Sequence, residues 1–557
     1  MITGGLLRQA PRVTLGLLVL PVLAGLAGTV IPAFSSDAKG FQALLDWPGL
    51  SRSIVLSLTT GVAATTVSLL ITLTLVAALW GTRAFAVIQH LLAPLLSVPH
   101  AAAALGLAFL IAPSGWLARL LSPWATGWTQ PPDLLILNDP YGLALTLGLV
   151  TKEVPFLFLM ALAALPQTDA ARRLAVAQSL GAGRTAAFLI AVLPSLYSQL
   201  RLPVYAVLAY SMTAVEMAMI LGPTLPYTLS AQVVIWMADP MLAGRATAAA
   251  GAIVQLAAVL VVLLAWVGAE LIAKSAITRM AESGLRMRGL DPVVRGVGTL
   301  AGVVSAGMLI LGLIGLAVWS VAGLWQFPDA VPDSLTLRTW VRAAPDLLTT
   351  GGLTLAIAAL STGLALVLVL ACLEAEHRFA LLPGARSLWV LYLPLLVPQV
   401  AFLPGLQIAL LRGGISGHWL AVSAVHLVFV LPYVFLSLAP AYRAWDGRIA
   451  IAAAALGAAP ARVFWSLRFP MLLRPILTAA AVGLAVSIGQ YLPTLLIGGG
   501  RIETLTTEAV ALSSGGNRRL IGAYALLQMA LPVIGFTLAL LVPALLFRHR
   551  RGMAVTG

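Results

Sequence analysis

The chain has 557 residues, 60% hydrophobic and only 9% charged, with a mean hydropathy of +1.00. A soluble domain carries about 45–50% apolar and about 25% charged residues, so this chain lacks the polar surface to cover a water-soluble globule. A cytosolic enzyme, a secreted protein and a disordered scaffold are excluded. The net charge of +14 is the basic excess that collects in cytoplasmic loops of inner-membrane proteins, not the mark of a nucleic-acid surface.

The first apolar run, residues 13–33, follows Arg8 and Arg12 and has the outline of a secretory signal. It is longer than the usual hydrophobic core of about 7–15 residues, so a retained first span is expected. Further windows long enough to cross a bilayer fall near 54–80, 88–112, 141–165, 189–221 and 246–272. A second set falls near 297–321, 347–373, 387–411, 418–440, 476–497 and 521–547. The runs are continuous rather than alternating, against a β-barrel. The expected fold is an all-α polytopic membrane protein with about 12 transmembrane helices. Residues 1–273 form one half, 274–296 a polar cytoplasmic linker and 297–557 the other half.

Of the 33 basic residues only Lys39, Lys152 and Lys274 are lysines. With the N-terminus in the cytoplasm, 22 of the 33 fall on inside segments, including Arg8, Arg12, Arg83, Arg378, Arg386, Arg548, Arg550 and Arg551. Both termini are therefore expected inside. The single cysteine, Cys372, excludes an internal disulfide and any cysteine-based metal site.

The halves repeat. Leu180-Gly181-Ala182, Phe188 and Pro194 recur as Leu456-Gly457-Ala458, Phe464 and Pro470, all displaced by 276 residues. Ser57-Leu58-Thr59-Thr60-Gly61 resembles Leu347-Leu348-Thr349-Thr350-Gly351, and the run 99–106 resembles 398–405. Each half holds an even number of spans, so the repeat is parallel, about an axis along the membrane normal.

The best-matched segment is a cytoplasmic loop, although loops ordinarily tolerate change more than packed helices. In the first copy an Ala-rich helix from Asp169 to Leu180 is expected to be capped by Asp169 and stopped by Gly181 in a left-handed conformation. A second short helix then runs through Phe188 to Pro194, where the chain turns into the next span. In the second copy Asp446 caps, Gly457 breaks, and Phe464 and Pro470 follow. Ala177, Ala182, Ala453 and Ala458 beside the glycines leave room for another protein to approach closely.

This pattern, A-x-x-LGA-x5-F-x5-P, resembles the EAA loop of the permease subunits of bacterial ABC importers. The leading Glu-Ala-Ala is degenerate: Asp169-Ala170-Ala171 keeps an acid before two alanines, and the second copy has no such triplet. A chain with two such halves is similar to the fused permeases of thiamine and ferric-iron importers. The resemblance implies that each loop docks on one of two copies of a cytoplasmic ATPase, which binds the ATP and Mg. It also implies that a periplasmic binding protein delivers the cargo: thiamine-like by preference, ferric iron or polyamine otherwise.

The chain itself has no Gly-Lys pair, so it carries no phosphate-cradling loop of its own; neither catalytic residues nor a bound cofactor is expected. Leu512-Ser513-Ser514-Gly515-Gly516-Asn517 superficially resembles an ATPase signature but lacks companion motifs. The histidines show no metal-binding spacing; His418 and His426 lie two turns apart. Charges inside a membrane are functional candidates by default. Glu216 is expected deep in the fifth span, either paired with Lys152 or facing the translocation path, with Gln490 near its equivalent position. Lys152 and Glu153 point to different helix faces. His100 and Gln399, after Pro99 and Pro398, mark paired kinks or a gate. The loops at 498–503 and 116–139 are candidates for touching a binding protein. An ion-coupled secondary transporter, which also often has two six-helix halves, is the alternative.

Overall fold

The computed structural model describes residues 4–35, 39–239, 242–381 and 384–548; His549, Arg550 and Arg551 lie outside them. The first half comprises α1 (Gly4–Ser35), α2 (Leu50–Leu79), α3 (Arg83–Leu95), α4 (His100–Ile111) and α5 (Leu143–Ala164). It continues through α6 (Ala170–Ser179), α7 (Leu193–Ser211), α8 (Val215–Leu221), α9 (Leu229–Met237) and α10 (Leu242–Glu282). The second half repeats the series as α11 (Asp291–Val321), α12 (Arg338–Phe379), α13 (Ala385–Leu396), α14 (Gln399–Arg412) and α15 (Trp419–Arg443). There follow α16 (Gly447–Ala455), α17 (Leu473–Ile488), α18 (Leu492–Gly498), α19 (Leu505–Ser513) and α20 (Arg518–Leu546). Helix n of the first half thus corresponds to helix n + 10 of the second. Among the described residues ten helical segments are long and apolar enough to span a membrane, and two bent pairs, each counted as one span, bring the number to twelve, one at each expected window.

The course within those windows is less direct than the apolar runs suggest. The third window divides into α3 and α4, and its counterpart α13–α14 turns by 89°. Proline sets the break: Val397, before Pro398, is held extended, and Pro99 and Pro398 stand at the starts of α4 and α14 instead of kinking them. The fifth and eleventh windows break at 212–214 and 489–491, and α8 and α18 are short separate helices beyond the breaks. The polar stretch 274–296 is mostly helical, because α10 continues to Glu282 and α11 begins at Asp291.

The halves interlock. α1 packs against α14 and α12 of the second half, and α11 packs against α4 and α2 of the first. Glycine permits both crossings. A β-carbon at Gly28 would lie 2.7–2.9 Å from the backbone of Gly405, and one at Gly312 would lie 2.8 Å from the carbonyl carbon of Gly106. Such close backbone approach drives helix association where lipid removes the hydrophobic incentive. The Thr29 hydroxyl completes the first crossing by accepting from the Gly405 N–H at 3.1 Å.

A second duplicated contact fixes the register. The Ser57 hydroxyl on α2 accepts from Leu229 N–H at 2.9 Å, and the Thr354 hydroxyl on α12 accepts from Leu505 N–H at 2.9 Å. Leu229 and Leu505 are 276 residues apart, the spacing of the loops. Ser57 therefore corresponds to Thr354. The match to Leu347 is a seven-residue slip along the helix.

Candidate functional site: two bent loops and a polar centre

Both loops have the same backbone. Gly181 (φ +91°) and Gly457 (φ +82°) follow α6 and α16 in the left-handed conformation. Gly181 N–H donates to Gln178 carbonyl at 2.9 Å and Ala182 N–H to Ala177 carbonyl at 3.3 Å. Gly457 N–H donates to Ala454 carbonyl at 2.9 Å and Ala458 N–H to Ala453 carbonyl at 3.0 Å. This pair of bonds is the Schellman stop, which ties the orphan carbonyls at a helix end. The residues ahead of the glycines, Leu180 and Leu456, are 76% and 89% exposed. Two apolar side chains are thus held outward on rigid bends.

The F-x5-P half of the motif also has a backbone meaning. Phe188–Val192 and Phe464–Arg468 are single π-turns, in which Leu193 N–H reaches Phe188 carbonyl and Phe469 N–H reaches Phe464 carbonyl. The next residue is Pro194 or Pro470, which has no N–H and whose ring would clash with the carbonyl four residues back in a regular helix. The wide turn relieves that clash. Beyond it the copies differ: Arg184–Ser211 runs on as one apolar span, whereas Pro460–Met471 and Leu473–Ile488 bend by 72°.

Asp446 caps α16 as expected, accepting from Arg448 N–H at 3.0 Å. The paired Arg448 side chain holds its carboxyl below the ordinary aspartate range. Asp169 departs from expectation. It precedes α6 but adopts φ +49°, and its side chain makes no cap bond.

Sequence reasoning missed the anchor of the second loop. Arg468, fully buried in the π-turn, pairs with Glu374 of α12, which also accepts from Tyr442 and from Arg378 at 2.5 Å. The Arg468 guanidinium lies 4.3 Å from the Trp445 ring centroid. The available signal was a lone arginine inside the aromatic run FWSLRFP.

The second cluster lies where the broken helices of the halves meet. His100, first residue of α4, places Nε2 3.5 Å from Glu153 Oε1 of α5, and its ring centroid 4.7 Å from that of Tyr210. The Tyr210 hydroxyl donates to Glu216 Oε1 at 2.7 Å. Glu216 sits in the first turn of α8, just past the break and not deep inside a continuous span. Lys152 does not pair with it. Its ammonium donates instead to the Leu95 and Leu96 carbonyls at 3.2 and 3.0 Å, satisfying the end of α3 freed by the break. Glu153 and Glu216 are both buried, and Glu153 Oε1 has no hydrogen bond.

From the second half, Tyr491 lies within electrostatic reach of Glu216, and Tyr433 of Glu153. A β-carbon at Gly489 would lie 4.0 Å from Pro99, so the two breaks face each other. Gln490 stands in its break, two residues short of the position equivalent to Glu216, and is half-buried like Gln399. His426, buried in α15, is held by Ser487 Oγ at 2.8 Å and Thr494 Oγ1 at 2.9 Å.

No family model matches the chain. It is 32% identical over 537 residues to the inner membrane ABC transporter permease protein YnjC of Escherichia coli, covering 96% of each chain. It is 31% identical over 158 residues to the molybdenum transport system permease protein ModB of Mycobacterium bovis, 26% of this chain and 59% of that protein. It is also 30% identical over 93 residues to a probable sulfate transport system permease protein of Zygnema circumcarinatum, 17% of this chain and 30% of that one. A relationship covering nearly the whole of both chains, on an all-α polytopic fold, places this protein in the family of ABC transporter permeases.

Proposed function

We propose that the chain forms the pathway of an ATP-driven importer in a bacterial inner membrane, with both termini cytoplasmic. A separate ATPase docks on its two bent loops, one copy on each. A periplasmic binding protein supplies the cargo, and ATP and Mg reside on the ATPase. The observation that carries this is the pair of Schellman-stopped loops presenting Leu180 and Leu456 to solvent, separated by six crossings and hence on one side of the membrane. Exposed leucines on rigid bends suit insertion into a partner's groove.

Tagged purification in mild detergent tests it. Two ATPase copies per chain, lost when Gly181 and Gly457 are both replaced by valine, is the expected result. A partner-free chain that drives ion-dependent uptake in liposomes would overturn it in favour of a secondary transporter.

For cargo, a small cation of the thiamine type is favoured by the buried Glu153 and Glu216 beside Tyr210 at the centre, with His100 between them. Buried carboxylates attract a cation and repel an oxyanion. Gln399 and Gln490, half-buried at helix breaks of the second half, are further polar candidates for the path. The relatives named for molybdenum and sulfate support an oxyanion as the second reading. Uptake of labelled thiamine, molybdate and sulfate by the reconstituted complex separates them: thiamine uptake abolished by Glu216→Gln supports the cation. Molybdate or sulfate uptake overturns it.

A further inference from the structure

The two loops repeat in backbone but not in support. The connector between the halves lies on the first. Arg288 Nε donates to the Gly181 carbonyl at 3.0 Å, and Gly183 N–H donates to the Arg286 carbonyl at 2.6 Å. The Asp291 carboxylate accepts from Arg184 N–H at 2.9 Å and Thr185 N–H at 2.8 Å, the first-turn donors of the helix that leads into α7. Arg184 extends the anchorage to α2, donating to the Ala77 carbonyl at 2.7 Å.

The sequence of the second loop cannot accept such a support. Gly183 corresponds to Ala459, and a β-carbon at Gly183 would lie 2.7 Å from the Arg286 carbonyl oxygen and 2.9 Å from Asp291. Arg184 corresponds to Pro460, which has no N–H to give a carboxylate. Among the described residues a β-carbon at Gly457 would meet no atom within 4 Å, and α16 buries no residue.

We infer that Asp291 and Arg288 are positioning residues for the first loop alone, so that fusion of the halves makes the two docking loops mechanically unequal. The first is held in place before any partner binds. The second is ordered by its own bend, by Arg378 of α12 donating to the Pro460 carbonyl at 3.3 Å, and by the Arg468–Glu374 anchor beneath it; among the described residues no connector reaches it. The consequence for coupling rests on the ATPase docking proposed above; the support itself does not.

Hydrogen exchange on the full chain in nanodiscs tests the support without a partner. With Asp291→Ala, amides of 183–187 are expected to exchange about tenfold faster or more, equivalent to about 1.4 kcal/mol. Those of 459–463 stay unchanged. Asp291→Asn, which keeps one acceptor, should fall between. Unaltered exchange at 183–187, or equal acceleration at both loops, would overturn the inference.

The coupling consequence is read by ATPase capture. In a Gly457→Val background Asp291→Ala should weaken capture about tenfold, and in a Gly181→Val background it should add nothing. An Asp291→Ala effect in both backgrounds would refute a loop-specific role. If neither valine variant affects capture, the docking proposal fails while the exchange result still stands.

Discussion

The crossing of α1 over α14 gives the sharpest test of the interlocked arrangement. In Gly405→Ala the new methyl would collide with the Gly25 carbonyl oxygen, its nearest neighbour, and sit 2.5 Å from Thr29 N and 2.6 Å from the Gly28 carbonyl carbon. Ordinary contact begins near 3.4 Å, so the helices must part by more than about 1 Å, enough to forfeit about half of each dispersion well along the seam. Overpacking of this kind costs about 1–3 kcal/mol. The Gly405–Thr29 hydrogen bond, lost with separation, adds about 0.6 kcal/mol. Replacing glycine by alanine inside a helix returns about 0.5–1 kcal/mol. A net loss of about 1–3 kcal/mol is expected, read by equilibrium unfolding in mixed micelles. Gly312→Ala, whose nearest approach is 2.8 Å, should lose less. Gly363→Ala, with open space around it, should lose nothing. If Gly405→Ala matches the parent, or Gly363→Ala loses as much, the reasoning from close approach is refuted.

Valine at Gly181 or Gly457 forces a β-branched residue into a left-handed conformation, a strain of about 1–3 kcal/mol. Insertion should persist while ATP hydrolysis uncouples from uptake; normal uptake by the double variant would remove the loops from the mechanism. Arg468→Ala should destabilise the second loop by about 3–5 kcal/mol, because Glu374 is left buried without it. Arg378 keeps the loss toward the lower figure, and Arg468→Met with Glu374→Gln should recover most of it in the same unfolding assay. The Asp446 carboxyl is depressed by its bonds to the Arg448 side chain and then to the Arg448 backbone N–H. Its contribution to α16 is therefore fully present above the ordinary value of 3.8 and lost as pH falls through its lower folded value. Pepsin cleavage near 447–455 should rise only in that acid window, and Asp446→Asn should abolish the pH dependence.

The twelve apolar windows and the repeated loops were legible because both are written in residue type: length of apolar run, and glycine where a left-handed turn is needed. The breaks at 212–214 and 489–491 were not, since Met212-Thr213-Ala214 and Gly489-Gln490-Tyr491 hardly interrupt the hydropathy. A change of direction inside lipid needs no polar residue when a neighbour supplies the partner, as Lys152 does for Leu95 and Leu96. The slip between Ser57 and Thr354 has a related cause. Seven residues are close to two helical turns, so both alignments put the same face inward. Only the bonds to Leu229 and Leu505 tell them apart. The pairing of Glu216 with Tyr210 instead of Lys152 was hidden because the break moves Glu216 onto a separate helix.

Interlocking also imposes an order in time. Gly28 is synthesised 377 residues before its partner Gly405, and Gly106 is synthesised 206 before Gly312. At about 5–20 residues per second, α1 waits on the order of 20–75 s in the bilayer with its glycine face bare, and α4 about half as long. Neither half can finish assembling while it is the only one made. The nascent first half is an open hook whose grooves are filled by lipid until the second half arrives to displace it.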